Sequence, residues 1–319
     1  MKKRILSASA CCLLAASLFA GCIYFDSITY MQEISTENPE TVAAFDDFLN
    51  DIFVAEVTEN TINLHFTLSD PEDYGITDYP ISLGNISETA AADSNARLEN
   101  YLAGLDAFDY TELTLNQQLT LDILKSYIKL QLDMSDLYLY DEPLRPSTGI
   151  QSQLPILYEE YKFNNEQDVK DYLALIALTG DYFDQVIAFE QQKADAGLFM
   201  ADYSCNTIID QCNSFIADEE NHYLKETFNN KIDKLDTLSL AKRDSYKLQN
   251  EQMVSEYIIP AYKNLAAALK TLAGSGSNEN GLCYFPEGKT YYEYLLAYNT
   301  GSSKTVKELE TMISNERVR

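Results

Sequence analysis

Residues 242–298 read KRDSYKLQNEQMVSEYIIPAYKNLAAALKTLAGSGSNENGLCYFPEGKTYYEYLLAY. The run YIIPAYKNLAAALKTLA within it predicts a long helix, because Leu248, Ile258, Ala261, Leu265, Ala268 and Leu272 recur at helical spacing as one buried stripe. Pro260 sits inside that stripe, where it removes a backbone donor and crowds the carbonyl of Glu256, so a kink is expected there. Gly274 and Gly276 end the helix. Pro286-Glu287-Gly288 then sets a tight turn into a tyrosine-rich helix.

Outward from this stretch the chain keeps the same period. Thr41 is placed to cap a helix with Val42, Phe45, Phe48, Leu49, Ile52 and Phe53 on its apolar face. Thr114 to Gln117 forms a capping box opening a helix to about Tyr138, and Thr305 to Glu308 forms another near the end. Asn165 starts a helix carrying Val169, Leu173, Ile176, Phe183 and Val186, closing at Gly197. Ile62, Leu64, Phe66 and Leu68 alternate with polar residues and read as a short strand or an extended connector. Gly149 to Pro155 reads as an irregular crossing. The fold expected is all-α: an irregular multi-helix bundle with one long kinked helix and at most one short strand or hairpin. Residues 1–21 read as a leader, 22–40 as a tether and 41–319 as one helical domain.

The leader has a basic head (Lys2, Lys3, Arg4), an apolar core from Ile5 to Phe19, and the box LFAGC ending at Cys22. The apolar run is too short for a permanent membrane span, and small residues before a cysteine suit a lipoprotein signal peptidase. The sequence thus predicts lipidation of Cys22 and an extracytoplasmic protein anchored to the cell membrane, with two acyl chains sufficient to hold it. Loss of the three basic leader residues takes Lys+Arg from 23 to 20 against 50 Asp+Glu, and net charge from −27 to −30. Such a body repels polyanions, so nucleic acid is excluded as a partner.

Three cysteines remain beyond Cys22. Cys205 and Cys212 would lie about 10 Å apart along a helix, beyond disulfide reach, and read as buried core thiols. Cys283 is expected to be buried as well. The two histidines, His65 and His222, lie far apart and lack the one-turn spacing that zinc sites use. His222, in Glu219-Glu220-Asn221-His222, reads as part of a solvated face, and His65 as exposed or half-buried. No Gly-x-Ser-x-Gly and no glycine-rich phosphate loop occurs. No catalytic or metal residue is assigned. Tyr291, Tyr292, Tyr294 and Tyr298 are the candidate lining of a substrate cleft, since tyrosine pairs an apolar ring with a polar handle; the alternative is core and rim packing.

Val254, Ile259-Pro260-Ala261-Tyr262 and Leu265, then Gly281-Leu282, Pro286, Gly288, Tyr291-Tyr292 and Leu295-Leu296, then Thr305 to Leu309, resemble the domain-of-unknown-function 885 family of bacterial proteins. The resemblance extends upstream through PSTGIQSQLPILYEEY at Pro146 and FDDFLNDIF at Phe45. It implies kinship with large helical zinc peptidases whose metal motif is a His-His pair in a Pro-Gly-His-His-x-x-Gln context, with a Glu-Gly-Trp-Ala segment. This chain has no histidine after His222 and no tryptophan. The likeness is therefore to the first half of such a protein, zinc being expected only in a full-length member and peptidase activity absent from this chain alone. On this reading the missing C-terminal half would dock on Val306, Leu309, Ile313 and Leu295, and the chain is an interrupted one. The competing expectation is a non-catalytic lipoprotein that binds peptide or another solute; a carboxylate-based hydrolase ranks last.

Overall fold

The computed structural model of the chain describes residues 36–276 and 278–318. The leader, the cleavage box, Cys22 and most of the tether fall outside the described residues. Within them every regular element is helical, with short 3-10 turns and no strand. The α-helices are α1 (Pro39–Thr58), α2 (Thr61–Thr67), α3 (Glu88–Asp106), α4 (Leu115–Asp133), α5 (Ile150–Glu160) and α6 (Glu166–Asp195). They continue as α7 (Asp202–Phe215), α8 (Tyr223–Ile232), α9 (Leu240–Met253), α10 (Ile259–Leu272), α11 (Gly288–Thr300) and α12 (Val306–Val318). None of the described helices is long and apolar enough to cross a membrane.

The chain divides into two compact units. One takes the residues up to Ala55, Ala91–Tyr138 and the chain from Leu282; the other takes Glu56–Ala90 and Leu139–Gly281. The core of the first is Phe45 and Leu49 of α1 with Leu105, Leu113, Leu121, Leu124 and Ile128. The second is built on α6, whose Val169, Tyr172, Leu175, Ile176, Phe183 and Val186 are fully buried. Around it gather Cys205, Ile208 and Cys212 of α7, Leu224, Phe228 and Ile232 of α8, and Ile258, Leu265 and Leu269.

Local chemistry explains the helix ends. Thr114 and Gln117 form a reciprocal capping box, as do Asn165 and Asp168. The Thr305 and Glu308 side chains likewise bond across the start of α12. At α1 the cap differs from expectation: the helix opens at Pro39, the Glu40 N–H donates to Asn38 Oδ1 (3.1 Å), and Thr41 Oγ1 donates to the Glu112 carboxylate.

The segment read as a strand is the helix α2. The Ile62 and Asn63 N–H groups donate to Asn60 Oδ1, a cap that fixes a helical start. In so short a helix Ile62, Leu64 and Leu68 still reach the core, while Phe66 is left 44% exposed. The irregular crossing at Gly149 to Pro155 is also helical, lying at the start of α5. Pro155 has no N–H for the Gln151 carbonyl one turn back, and the buried Tyr262 hydroxyl donates to that carbonyl instead (2.9 Å).

The long helix of the opening stretch runs as α9, a π turn over Val254–Ile258, and α10. The Ile259 N–H reaches back to the Val254 carbonyl, five residues away, which widens the turn just ahead of Pro260. The expected irregularity at the proline thus takes the form of a π turn. Its extra residue steps the phase of the buried face, so Ile258, Ile259, Ala261, Tyr262 and Leu265 are buried while Leu248 is 62% exposed.

Candidate functional site

The tyrosine helix α11 starts where the turn at Pro286 to Gly288 packs against its own chain. A Cβ on Gly288 would stand 1.7 Å from the Leu282 carbonyl oxygen, so only glycine fits this approach. One turn on, Tyr291 is buried, and its ring lies 5.6 Å from that of Tyr294. Tyr294 in turn is 5.8 Å from Tyr298, and Tyr298 is 5.9 Å from Tyr127 of α4. The Tyr294 hydroxyl donates to Gln131 Oε1 (2.8 Å). Three of the four tyrosines singled out in the sequence therefore form one ladder, and Tyr127 and Gln131 complete it. Tyr292 points elsewhere and is 48% exposed. Burial, then the Tyr298 phenol, pushes Tyr127 well above the ordinary phenol range. The ladder thus offers phenol hydroxyls and half-buried ring faces, suited to contacts with uncharged groups. On α12, Met312 is 43% and Ile313 63% exposed.

In the second unit ionisable side chains gather where α5 meets α6. Lys231 Nζ donates to the carbonyls of Tyr158 (2.9 Å), Glu159 (3.1 Å) and Tyr161 (3.0 Å), closing the C-terminus of α5. The same ammonium lies over the rings of Phe163 and Tyr172. Burial, the largest influence, draws its pKa down to about 8. The Lys162 N–H donates to His65 Nε2 (3.1 Å), and the His65 ring stacks on Tyr161 at 3.6 Å. Asp168 Oδ2 accepts the N–H groups of Asn164 and Asn165. Asp171, nearly inaccessible, accepts the Tyr79 hydroxyl (2.7 Å) and the Gln167 amide (2.7 Å).

His222 is a correction to the sequence reading. It is 2% exposed, packs edge-on against Phe215, and its Nδ1 accepts the Leu224 N–H (3.4 Å) as the cap of α8. Both histidines spend a ring lone pair on a backbone amide, and burial holds both below the usual imidazole range. A nitrogen engaged in this way has no lone pair left for a metal. Among the described residues no group of three or more His, Cys, Asp or Glu is placed to hold a metal ion.

Cys205 and Cys212 are buried as expected, with their thiols raised to about 11 and about 12 by burial. Cys283, by contrast, is exposed, because it lies in the short turn before α11 and not on a core stripe. Sequence reading missed Glu190. Its side chain on α6 is fully buried, both carboxyl oxygens lack a hydrogen-bond partner among the described residues, and burial raises its pKa to about 7. Lys193, one turn on, donates to the Asp141 carbonyl (2.6 Å).

Residues 72–316 match the family described as "Bacterial protein of unknown function (DUF885)". The chain belongs to the DUF885 family. A crystal structure described as "the putative lipoprotein from Colwellia psychrerythraea" resembles this DUF885 chain with a TM-score of 0.69 at 16% identity. The match covers 87% of this chain and 48% of that one, so this DUF885 chain spans about half the length of that relative. At this identity the likeness is one of fold. No curated protein matches the sequence.

Proposed function

We propose that the protein is an extracytoplasmic lipoprotein, held at the membrane by acyl chains on Cys22. Its helical units serve as the non-catalytic framework half of a DUF885 protein with metallopeptidase kinship. The observation that carries this reading is the fold likeness, which spans 48% of a chain itself described as a "putative lipoprotein". The LFAGC box ending at Cys22 agrees with it. So does the commitment of His65 and His222 to backbone amides, which leaves metal chemistry to residues other than these.

Two measurements test the two parts. Expressed with its leader in a bacterial host, the protein should partition into the detergent phase and carry acyl mass on Cys22; Cys22→Ser should move it to the aqueous phase. Equal partitioning of both forms would remove the anchor from the proposal. Metal analysis of the purified protein should find far less than one zinc per chain. Stoichiometric zinc that survives dialysis against a chelator would overturn the framework reading.

A second reading, capture of peptide or another uncharged solute, is favoured by the half-buried ladder of Tyr294, Tyr298 and Tyr127 beside Gln131. Screening by thermal shift should then find ligands whose stabilisation vanishes in Tyr298→Ala. A shift unchanged in that variant would place binding elsewhere.

A further inference from the structure

Residues 60–86 form a small self-braced segment of the second unit. Asn60 Nδ2 donates to the Leu83 carbonyl (2.7 Å), and Thr61 Oγ1 donates to that of Pro80 (3.1 Å). The Thr61 N–H donates to the Ser82 carbonyl (2.9 Å), while the Ser82 N–H returns to Thr61 Oγ1 (2.9 Å). Ile62 and Leu83 seat this segment in the core. Its polar attachments to the rest of the unit include His65 at the α5–α6 corner, Tyr79 on Asp171 and the Ile86 N–H on Gln185 Oε1 (3.0 Å).

We infer that residues 60–86 act as a clip latched onto the α5–α6 corner by neutral His65, and that protonation of His65 in mild acid loosens the clip. The reason is the direction of one hydrogen bond. Because His65 Nε2 accepts the Lys162 N–H, the ring proton must sit on Nδ1, which faces Asp168 Oδ1 at 3.8 Å, beyond hydrogen-bond length. A second proton would set an N–H on Nε2 against the Lys162 N–H, two donors meeting in a site closed on one side by the stacked Tyr161 ring. The Lys162 amide would then lose its acceptor.

The charges around the ring oppose one another. Asp168 and Asp171 on α6 favour the imidazolium; Lys162 in the corner and Lys231 on α8 disfavour it. Asp168 is already engaged by two backbone amides, and Asp171 by Tyr79 and Gln167. Burial is the largest influence and disfavours the charged ring. With the folded value held below the ordinary 6.5, the latch is intact above pH 6.5 and is lost as pH falls through the folded value. This device stands independently of the anchoring and framework readings.

The experiment is a pH series on the full mature chain. With two histidines in the chain, the ring protons of His65 can be followed by NMR and assigned by their loss in His65→Gln. Amide exchange of residues 60–86 and 158–168 is measured at pH 7.5 and 5.0, corrected for intrinsic rates. The expected result is a His65 midpoint below 6.5 together with about tenfold faster exchange at Lys162 at pH 5.0. His65→Gln keeps an acceptor that does not titrate, so its protection should be the same at both values. A midpoint at or above 6.5, unchanged wild-type protection at pH 5.0, or the same acid loss in His65→Gln would overturn the latch. Should the variant fold poorly, the wild-type midpoint and exchange decide alone.

Discussion

Glu190 shows how one side chain sets a pH dependence. An acid whose folded value is raised from 4.5 to about 7 is protonated in both states below pH 4.5 and imposes no penalty there. As pH climbs from 4.5, the unfolded chain releases its proton first, so stability falls until about pH 7 and then levels off. The span corresponds to about 3 kcal/mol. Glu190→Gln, isosteric and uncharged, should therefore raise stability at pH 8 by roughly 2–3 kcal/mol and leave it unchanged at pH 4.5. Urea unfolding at the two pH values checks this, and a pH-independent difference would mean that packing, not charge, separates the two proteins. His65 and His222 act from the acid side, each favouring the fold above pH 6.5. The two effects therefore oppose one another: the histidines favour the fold above pH 6.5, and Glu190 favours it below pH 4.5. No period in the sequence marks Glu190: it follows Phe189 in a run of Glu-Gln-Gln-Lys that reads as a solvated face. Only the elements packed over α6 enclose it. His222 went unread for the same reason, since Glu-Glu-Asn-His looks wet until Phe215 and Tyr223 close on the ring.

Elements in this fold are repaired from a distance. Pro155 deprives the Gln151 carbonyl of its helical donor, and Tyr262, on α10, supplies a hydroxyl to it. Tyr262→Phe should cost about 1–3 kcal/mol, because it strands a buried acceptor while removing a single oxygen. In a Pro155→Ala background position 155 has its own N–H for that carbonyl, so the same change should be milder by about 1 kcal/mol. A double-mutant cycle with no coupling would separate the two residues. Gly288→Ala makes a different demand, as its Cβ would meet the Leu282 backbone and not a side chain able to swing away. Loss of the tyrosine ladder is expected, read as a drop in near-ultraviolet tyrosine dichroism together with destabilisation on the order of 3 kcal/mol or more. An unperturbed spectrum would contradict this. These elements also mark where sequence reasoning stops. Thr114 with Gln117 and Thr305 with Glu308 were legible because both partners lie within one turn. The helical nature of Thr61–Thr67 was hidden by a chance alternation, although Asn60 already stood at its cap. Gly149 to Pro155 was read as irregular because the donor that rescues α5 lies more than a hundred residues away. Three of the four rings of the tyrosine ladder were legible, since Tyr291, Tyr294 and Tyr298 share a face of one helix. Their meeting with Tyr127 and Gln131 is tertiary.

At the scale of the molecule the dominant quantity is charge. Fifty acidic residues against 23 basic ones leave a formal net charge of −27. Compaction brings these charges together, so the folded state bears more self-repulsion than the open chain. Among the described residues the lysine–carboxylate pairs are surface contacts such as Lys242 with Glu166 (2.9 Å) and Lys247 with Asp233 (2.6 Å), and exposed pairs of this kind contribute about 0–1 kcal/mol each. Salt screens both effects, but the pairs are few and short-ranged whereas the repulsion is summed over the whole surface. Its reach shrinks from about 30 Å at 0.01 M salt to about 8 Å at 0.15 M. Repulsion should therefore be the larger loss on screening. Raising sodium chloride from 10 to 300 mM is expected to stabilise the protein by about 1–2 kcal/mol, seen as a Tm increase of roughly 3–6 °C. Differential scanning calorimetry at constant pH 7.5 checks it, with an equal osmolarity of sucrose as the control for solvent exclusion. A Tm that stays level or falls with salt would mean that the surface pairs outweigh the net charge, and lysine substitutions on the acidic faces should then fail to stabilise the fold.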